Sequence, residues 1–142
     1  MNHPPAIIDT NVVVSGLLTS QDEAATRRLV DGMIAGDFPF YLSIELLGEY
    51  RQVLLRENIQ NLHGLSAAQV DEVLEIIVAN GILREPKPAH REAPDPGDQF
   101  LWNLLEAQPK ALLVTGDKAL LEDSQQKSSV LSPSSYLQLT GL

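Results

Sequence analysis

The sequence predicts an α/β fold, a three-layer α/β/α sandwich around a central parallel sheet of four to five strands. Three observations predict it: short apolar runs ending in a polar residue, amphipathic helical stretches between them, and the alternation of the two along the chain. With 142 residues, 44% of them hydrophobic, the chain suits one domain spanning residues 1–142 around one sizeable core.

Ala6-Ile7-Ile8-Asp9 reads as the first strand, because a parallel strand covered on both faces is apolar throughout rather than alternating. A helix is expected over residues 22–35, stopped by Gly36. Phe40-Tyr41-Leu42-Ser43 gives the next strand, and Ser43 also caps a helix over residues 43–57, where Leu46, Leu47, Tyr50, Val53 and Leu54 form one apolar stripe. After a short turn around Leu62-His63-Gly64, a helix over residues 66–80 carries Val70, Val73, Leu74, Ile77 and Val78 on one side, between a Ser66 cap and a Gly81 stop.

Gly81-Ile82-Leu83-Arg84 is the run that makes the strand count four or five. Prolines at 86, 88 and 94 make residues 85–94 a loop. A helix over residues 96–107 ends before Pro109, strands follow at Leu112-Leu113-Val114-Thr115 and Ser129-Val130-Leu131, and Ser132-Pro133 starts a last short helix through Tyr136 and Leu137.

Cysteine is absent, which excludes disulfides, thiolate metal sites and a cysteine nucleophile. No apolar run approaches the ~20 residues of a membrane span and the N-terminus lacks a signal-peptide pattern, so a cytoplasmic protein without a membrane partner is expected. Ten basic against 19 acidic residues give a net charge of −9, which argues against holding nucleic acid on a broad basic surface. Divalent cations among carboxylates would reverse the field locally, and the acidity also suits a basic protein partner.

Ligands of an open parallel sheet bind beyond the carboxyl ends of its strands, where the strand order reverses. Asp9 ends the first strand and Asp117 follows the 112–115 strand after one glycine, so both emerge on one edge. Asp98 lies in the first turn of a helix whose N-terminus faces that edge, and Glu49 falls at the border of the apolar stripe of its helix. Singly, Asp9, Asp98 and Asp117 are also explicable as helix caps, and Glu45 rivals Glu49. Asp95 is the stronger cap candidate beside Asp98, since Pro96 follows it, and it is also the fallback ligand. Clustered carboxylates repel by about 4 kcal/mol per pair at ~4 Å in an intermediate dielectric. An oxygen-only donor set selects a hard cation, Mg²⁺ or Mn²⁺, and the chemistry expected of such a site is phosphodiester hydrolysis.

Together, Asp9-Thr10-Asn11, Glu45-Leu46-Leu47-Gly48-Glu49-Tyr50, Asp95-Pro96-Gly97-Asp98 and Thr115-Gly116-Asp117-Lys118 resemble the PIN-domain family, in order and over nearly the whole chain. More narrowly, the chain is similar to the toxin component of a toxin–antitoxin pair. The resemblance implies a Mg²⁺- or Mn²⁺-dependent endoribonuclease whose catalytic and metal-binding quartet is Asp9, Glu49, Asp98 and Asp117. It further implies that Asn11 supports the first aspartate and Thr115 supplies a hydroxyl near the last. An RNA substrate, a cognate antitoxin and a homodimer are implied as partners. Gly97 and Gln99 depart from relatives that carry extra acidic residues there.

Two other classes compete. A catalytically silent PIN-like binding module would show no carboxylate-dependent Mn²⁺ binding. A receiver-like domain recognising phospho-aspartate would use Lys118, but that lysine follows Asp117 directly instead of ending a strand alone. A phosphatase with Asp9 as nucleophile lacks the partner aspartate two residues on, where Asn11 stands. His3, His63 and His90 show no metal-ligand spacing; Lys87, His90, Arg91, Arg27 and Arg28 read as solvated residues with RNA contact as the rarer use, and Trp102 as packing before base stacking.

Overall fold

The computed structural model describes residues 3–122 and 129–142, so Met1 and Asn2 of the N-terminal stretch lie outside the described residues. The chain forms an α/β sandwich with parallel strands. Strand β1 (Ala6–Ile8) is buried at every residue, as its unbroken apolar run requires. Helix α1 (Thr10–Leu18) follows at once, then α2 (Ala25–Ala35), which ends on Gly36 in the left-handed region at φ 73°. Strand β2 (Tyr41–Leu42) leads into α3 (Ile44–Leu54), whose cap Ser43 accepts from the Leu46 amide at 3.1 Å.

Helices α4 (Glu57–His63) and α5 (Ala67–Asn80) precede β3 (Ile82–Leu83), and Ser66 and Gln69 form a reciprocal capping box on α5. A one-turn 3-10 helix (Pro96–Asp98) opens α6 (Gln99–Ala107), followed by β4 (Leu112–Val114), α7 (Lys118–Leu121), β5 (Val130–Leu131) and α8 (Pro133–Thr140). Among the described residues, no helix is long and apolar enough to cross a membrane.

The expected continuous sheet is interrupted. Strands β1, β4 and β5 form one parallel sheet in the order β1-β4-β5, and β2 with β3 forms another. One bridge, Ala6 to Phe40, joins them, with the Ala6 amide donating to the Pro39 carbonyl at 2.9 Å. Pro39 has no N–H to extend that ladder, and four residues later Ser43 already caps α3, so no room remains for a longer pairing. The spatial order is therefore β3-β2-β1-β4-β5 across the bridge.

The helix expected over residues 43–57 ends at Leu54, and α4 takes up Glu57–His63, so Leu62 and His63 of the expected turn are helical and the chain turns from Gly64. Arg56 is extended (φ −61°, ψ 136°) between α3 and α4, and the Leu54 carbonyl left open by the break pairs with His63 Nε2 at 2.8 Å, while His63 Nδ1 accepts from the Leu65 amide at 2.9 Å. The helix expected over residues 22–35 starts at Ala25, and that over 96–107 begins as the 3-10 turn.

Gly16 sets how closely α1 and α2 approach. A Cβ there would sit 2.5 Å from the Thr26 carbonyl oxygen and 2.5 Å from Val30 Cγ2. Because one of those atoms is backbone, Gly16→Ala is expected to lower stability by about 2 kcal/mol. Urea unfolding measures this, and an unchanged midpoint would show that α2 can shift away freely.

Candidate active site

In chain order the strands step from β1 outward to β2 and β3, then return to β4 on the opposite side of β1. The crevice of this fold thus lies at the carboxyl ends of β1 and β4. Asp9 follows β1 immediately, and Thr115, Gly116 and Asp117 follow β4. The register that pairs Ile8 with Val114 brings these two segments side by side, and the Asp9 amide donates to the Val114 carbonyl at 2.9 Å.

Asp9 is 5% exposed and its carboxylate is tied on both oxygens. Oδ1 accepts from the Thr10 amide at 2.8 Å, and Oδ2 accepts from the Thr115 hydroxyl at 2.7 Å and from Asn11 Nδ2 at 3.3 Å. Asn11 Oδ1 in turn accepts from the Gly116 amide at 3.1 Å, and Thr115 Oγ1 accepts from the Asp117 amide at 3.0 Å. Asn11 and Thr115 thus link the ends of both strands into one hydrogen-bonded unit. Burial still holds the Asp9 carboxyl above its usual pKa, with the charges of Glu49 and Asp117 adding to that, because the hydrogen bonds from Thr115 and Thr10 offset only part of it.

Asp9, Glu49, Asp98 and Asp117 all line one cavity of about 690 Å³, so the structure brings the four sequence-predicted carboxylates together. Glu49 is half-buried there, whereas its rival Glu45 is exposed and lies outside the lining. Asp117 caps α7, accepting from the Ala119 amide at 2.9 Å. The two neighbouring aspartates separate cleanly. Asp95 is exposed, caps the 3-10 turn through the Gly97 amide at 2.9 Å and does not line the cavity. Asp98 makes no capping bond, is half-buried and faces the cavity. Its carboxyl is pushed up to about 6, first by burial and then by the charges of Asp9, Asp95, Glu49 and Asp117. The four carboxylates therefore repel one another without a compensating cation. Among the described residues no three acidic or histidine side chains are gathered as a ready-made metal-binding group.

Tyr50 fixes α3 to the sheet beside this site, its hydroxyl donating to the carbonyl of Ile8. Burial, together with the charges of Asp9 and Glu49, lifts that phenol well above its ordinary pKa, so it serves as a neutral donor.

Thr10 and Ser15 also line the cavity, as do Thr19, Gln52 and Arg56, which sequence reasoning did not single out. Their polarity on otherwise amphipathic helices was the one available hint. The side chains set aside earlier are mostly engaged in structural contacts. Trp102 is 1% exposed in the core, Arg27 pairs with Asp31 at 3.2 Å, Arg28 donates to the Leu142 carbonyl, and His90 contacts Glu106 at 3.3 Å.

Thr115 has a testable share in this arrangement. Thr115→Val keeps the branched shape but removes the donor to Asp9 and the acceptor of the Asp117 amide. It is expected to weaken Mn²⁺ binding by about ten- to a hundredfold and to cost about 1–2 kcal/mol of stability. Titration calorimetry reads the first and denaturation the second; unaltered Mn²⁺ affinity would show that the hydroxyl does not orient Asp9 for a metal.

Comparison with known families finds that a family described as PIN domain matches residues 5–119. Comparison with curated proteins finds no match.

Proposed function

The chain belongs to the PIN-domain family, whose fold is generally that of a nuclease, and on that premise we propose that it is a Mg²⁺- or Mn²⁺-dependent endoribonuclease acting as the toxin of a toxin–antitoxin pair. One observation carries the reading: carboxylates from four separate segments, Asp9, Glu49, Asp98 and Asp117, line a single cavity at the carboxyl ends of β1 and β4.

The residues fit a hard divalent cation. The donors are all oxygen, and the raised carboxyls of Asp9 and Asp98 mark negative charge that a cation would relieve. Mg²⁺ keeps several of its waters and takes only one or two carboxylates directly, so a preassembled cage of three ligands is not required. Asp9, Glu49, Asp98 and Asp117 would hold the ion. When bound, it supplies polarisation of the phosphodiester and a lowered pKa for the attacking water.

The protein's own part is orientation. Thr115, Asn11 and the Thr10 amide hold the Asp9 carboxylate in one position, so little reorganisation is needed when substrate arrives. Asp98 retains a proton on an appreciable fraction of molecules near pH 6 and is fully ionised only above neutrality.

The test is cleavage of labelled RNA by the purified chain, freed of any bound partner, in Mg²⁺, Mn²⁺ or EDTA. Cleavage in either metal and none in EDTA is expected. Failure in both metals ends the nuclease reading, and Mn²⁺ titration then asks whether a silent binding module remains. The partners belong to the same proposal: RNA as substrate, a second copy of the chain, and an antitoxin for which a net charge of −9 favours a basic contact segment. Sedimentation of the isolated chain as a monomer at micromolar concentration would remove the homodimer.

A further inference from the structure

Beyond the carboxylates, the same cavity continues as a groove that the metal chemistry does not use. Val14, Ser15, Leu18 and Thr19 contribute from α1 and its end, and Gln52, Val53 and Arg56 from α3 and the break after it. Arg56 lies seven residues beyond Glu49, past the end of α3 at Leu54, where the chain is extended. Arg56 is the one cation lining this cavity among the described residues. It is exposed, and among those residues its side chain enters no ion pair or hydrogen bond, whereas Arg27 and Arg51 are held by Asp31 and Asp71. The groove therefore combines apolar Val14, Leu18 and Val53 with polar Ser15, Thr19 and Gln52 and one unpaired guanidinium.

We infer that Arg56 is a substrate-positioning residue, holding in this groove a backbone phosphate of the RNA other than the one at the carboxylates. The inference rests on the nuclease reading. A guanidinium binds a phosphate through paired, charge-assisted hydrogen bonds. One such contact suits a flexible strand, because holding a duplex by its phosphates takes several cations and Arg56 is the one that lines this cavity among the described residues. Among the described residues no aromatic side chain lines the groove, so the contact is to backbone and sugar instead of stacked bases.

The experiment compares wild type, Arg56→Ala and Arg56→Lys on a single-stranded oligoribonucleotide and on a dinucleotide, which has only the phosphate to be cut. Arg56→Ala is expected to raise KM for the oligonucleotide about tenfold with kcat within about twofold. It should leave the dinucleotide unaffected, and Arg56→Lys should restore part of the loss. In parallel, fluorescence anisotropy of a labelled oligoribonucleotide in Ca²⁺ should show weaker binding by Arg56→Ala and a salt slope reduced by about 0.7. Cleavage that persists with KM and binding independent of Arg56, or an equal loss on the dinucleotide, overturns the inference and leaves the nuclease reading standing. Arg56-dependent binding without cleavage by wild type does the reverse. Absence of both binding and cleavage removes the two together.

Discussion

Asp9→Asn is expected to reduce metal-dependent RNA cleavage by at least about a thousandfold, equivalent to ~4 kcal/mol of transition-state stabilisation, while the fold keeps its full stability. The two halves of this expectation come from the same contacts. Asparagine retains an oxygen for the Thr10 amide, now bonded at 2.8 Å, and its amide can donate to the Thr115 hydroxyl by displacing the long contacts that Asn11 Nδ2 makes to that hydroxyl at 3.5 Å and to Asp9 at 3.3 Å, while the Asp117 amide keeps its bond. What disappears is a charge that burial and the neighbouring carboxylates disfavour, so the metal-free variant should melt at the wild-type temperature or above it. Asp9→Ala separates the two roles further, because it also removes the cap on α1 and should cost about 1 kcal/mol. Cleavage assays and melting curves on the two variants decide the matter: an active Asp9→Asn protein would remove the carboxylate from the chemistry and leave it a helix cap.

Much of this arrangement was legible before the structure, and the reason lies in how parallel sheets are built. The runs at residues 6–8 and 112–114 are apolar because both faces are covered, and a polar residue marks where each leaves the sheet, so Asp9 and Thr115-Gly116-Asp117 could be placed on one edge. Glu49 was placed by helical periodicity, and proline at the first position of a helical turn favoured Asp95 as the cap but left both Asp95 and Asp98 open as ligands, since only the fold shows Asp98 on the cavity and Asp95 outside it. Other features carried no local signature. The break at Arg56 depends on His63, seven residues on, taking the carbonyl of Leu54, and the sequence around 55–57 contains neither glycine nor proline to announce it. Division of the sheet depends on how far β2 can pair before α3 begins, which is a question of three-dimensional spacing. Arg56 was overlooked for the same reason, since its relation to the carboxylates exists only once α3 has ended.

Removal of Mg²⁺ is expected to invert how stability depends on pH. Without metal, Asp9 and Asp98 have folded-state carboxyls above the ordinary value of 3.8, Asp98 at about 6. Between those limits the folded chain binds more protons than the unfolded chain, so stability should fall as pH rises from 3.8 to about 6 and change little from these groups above that. Asp98→Asn should flatten this part of the profile, which isolates it from the opposite trend of Asp71, held below its usual value by Arg51. With metal the direction reverses, because ligands must lose their protons to bind. Below pH ~6 apparent affinity should drop up to tenfold per pH unit for each proton displaced, steepening where Asp9 joins Asp98. At a hundred times the dissociation constant the ion should add about 2.7 kcal/mol near pH 7.5, about 8 °C in melting temperature for a chain of this size, and only about half of that at pH 5, where a tenfold loss of affinity leaves it near ten times the dissociation constant. Cleavage at subsaturating Mg²⁺ should follow the same curve and vanish in EDTA. Equal stabilisation by Mg²⁺ at both pH values would place the ion away from Asp98, and the phosphodiester chemistry would lose its electrostatic basis.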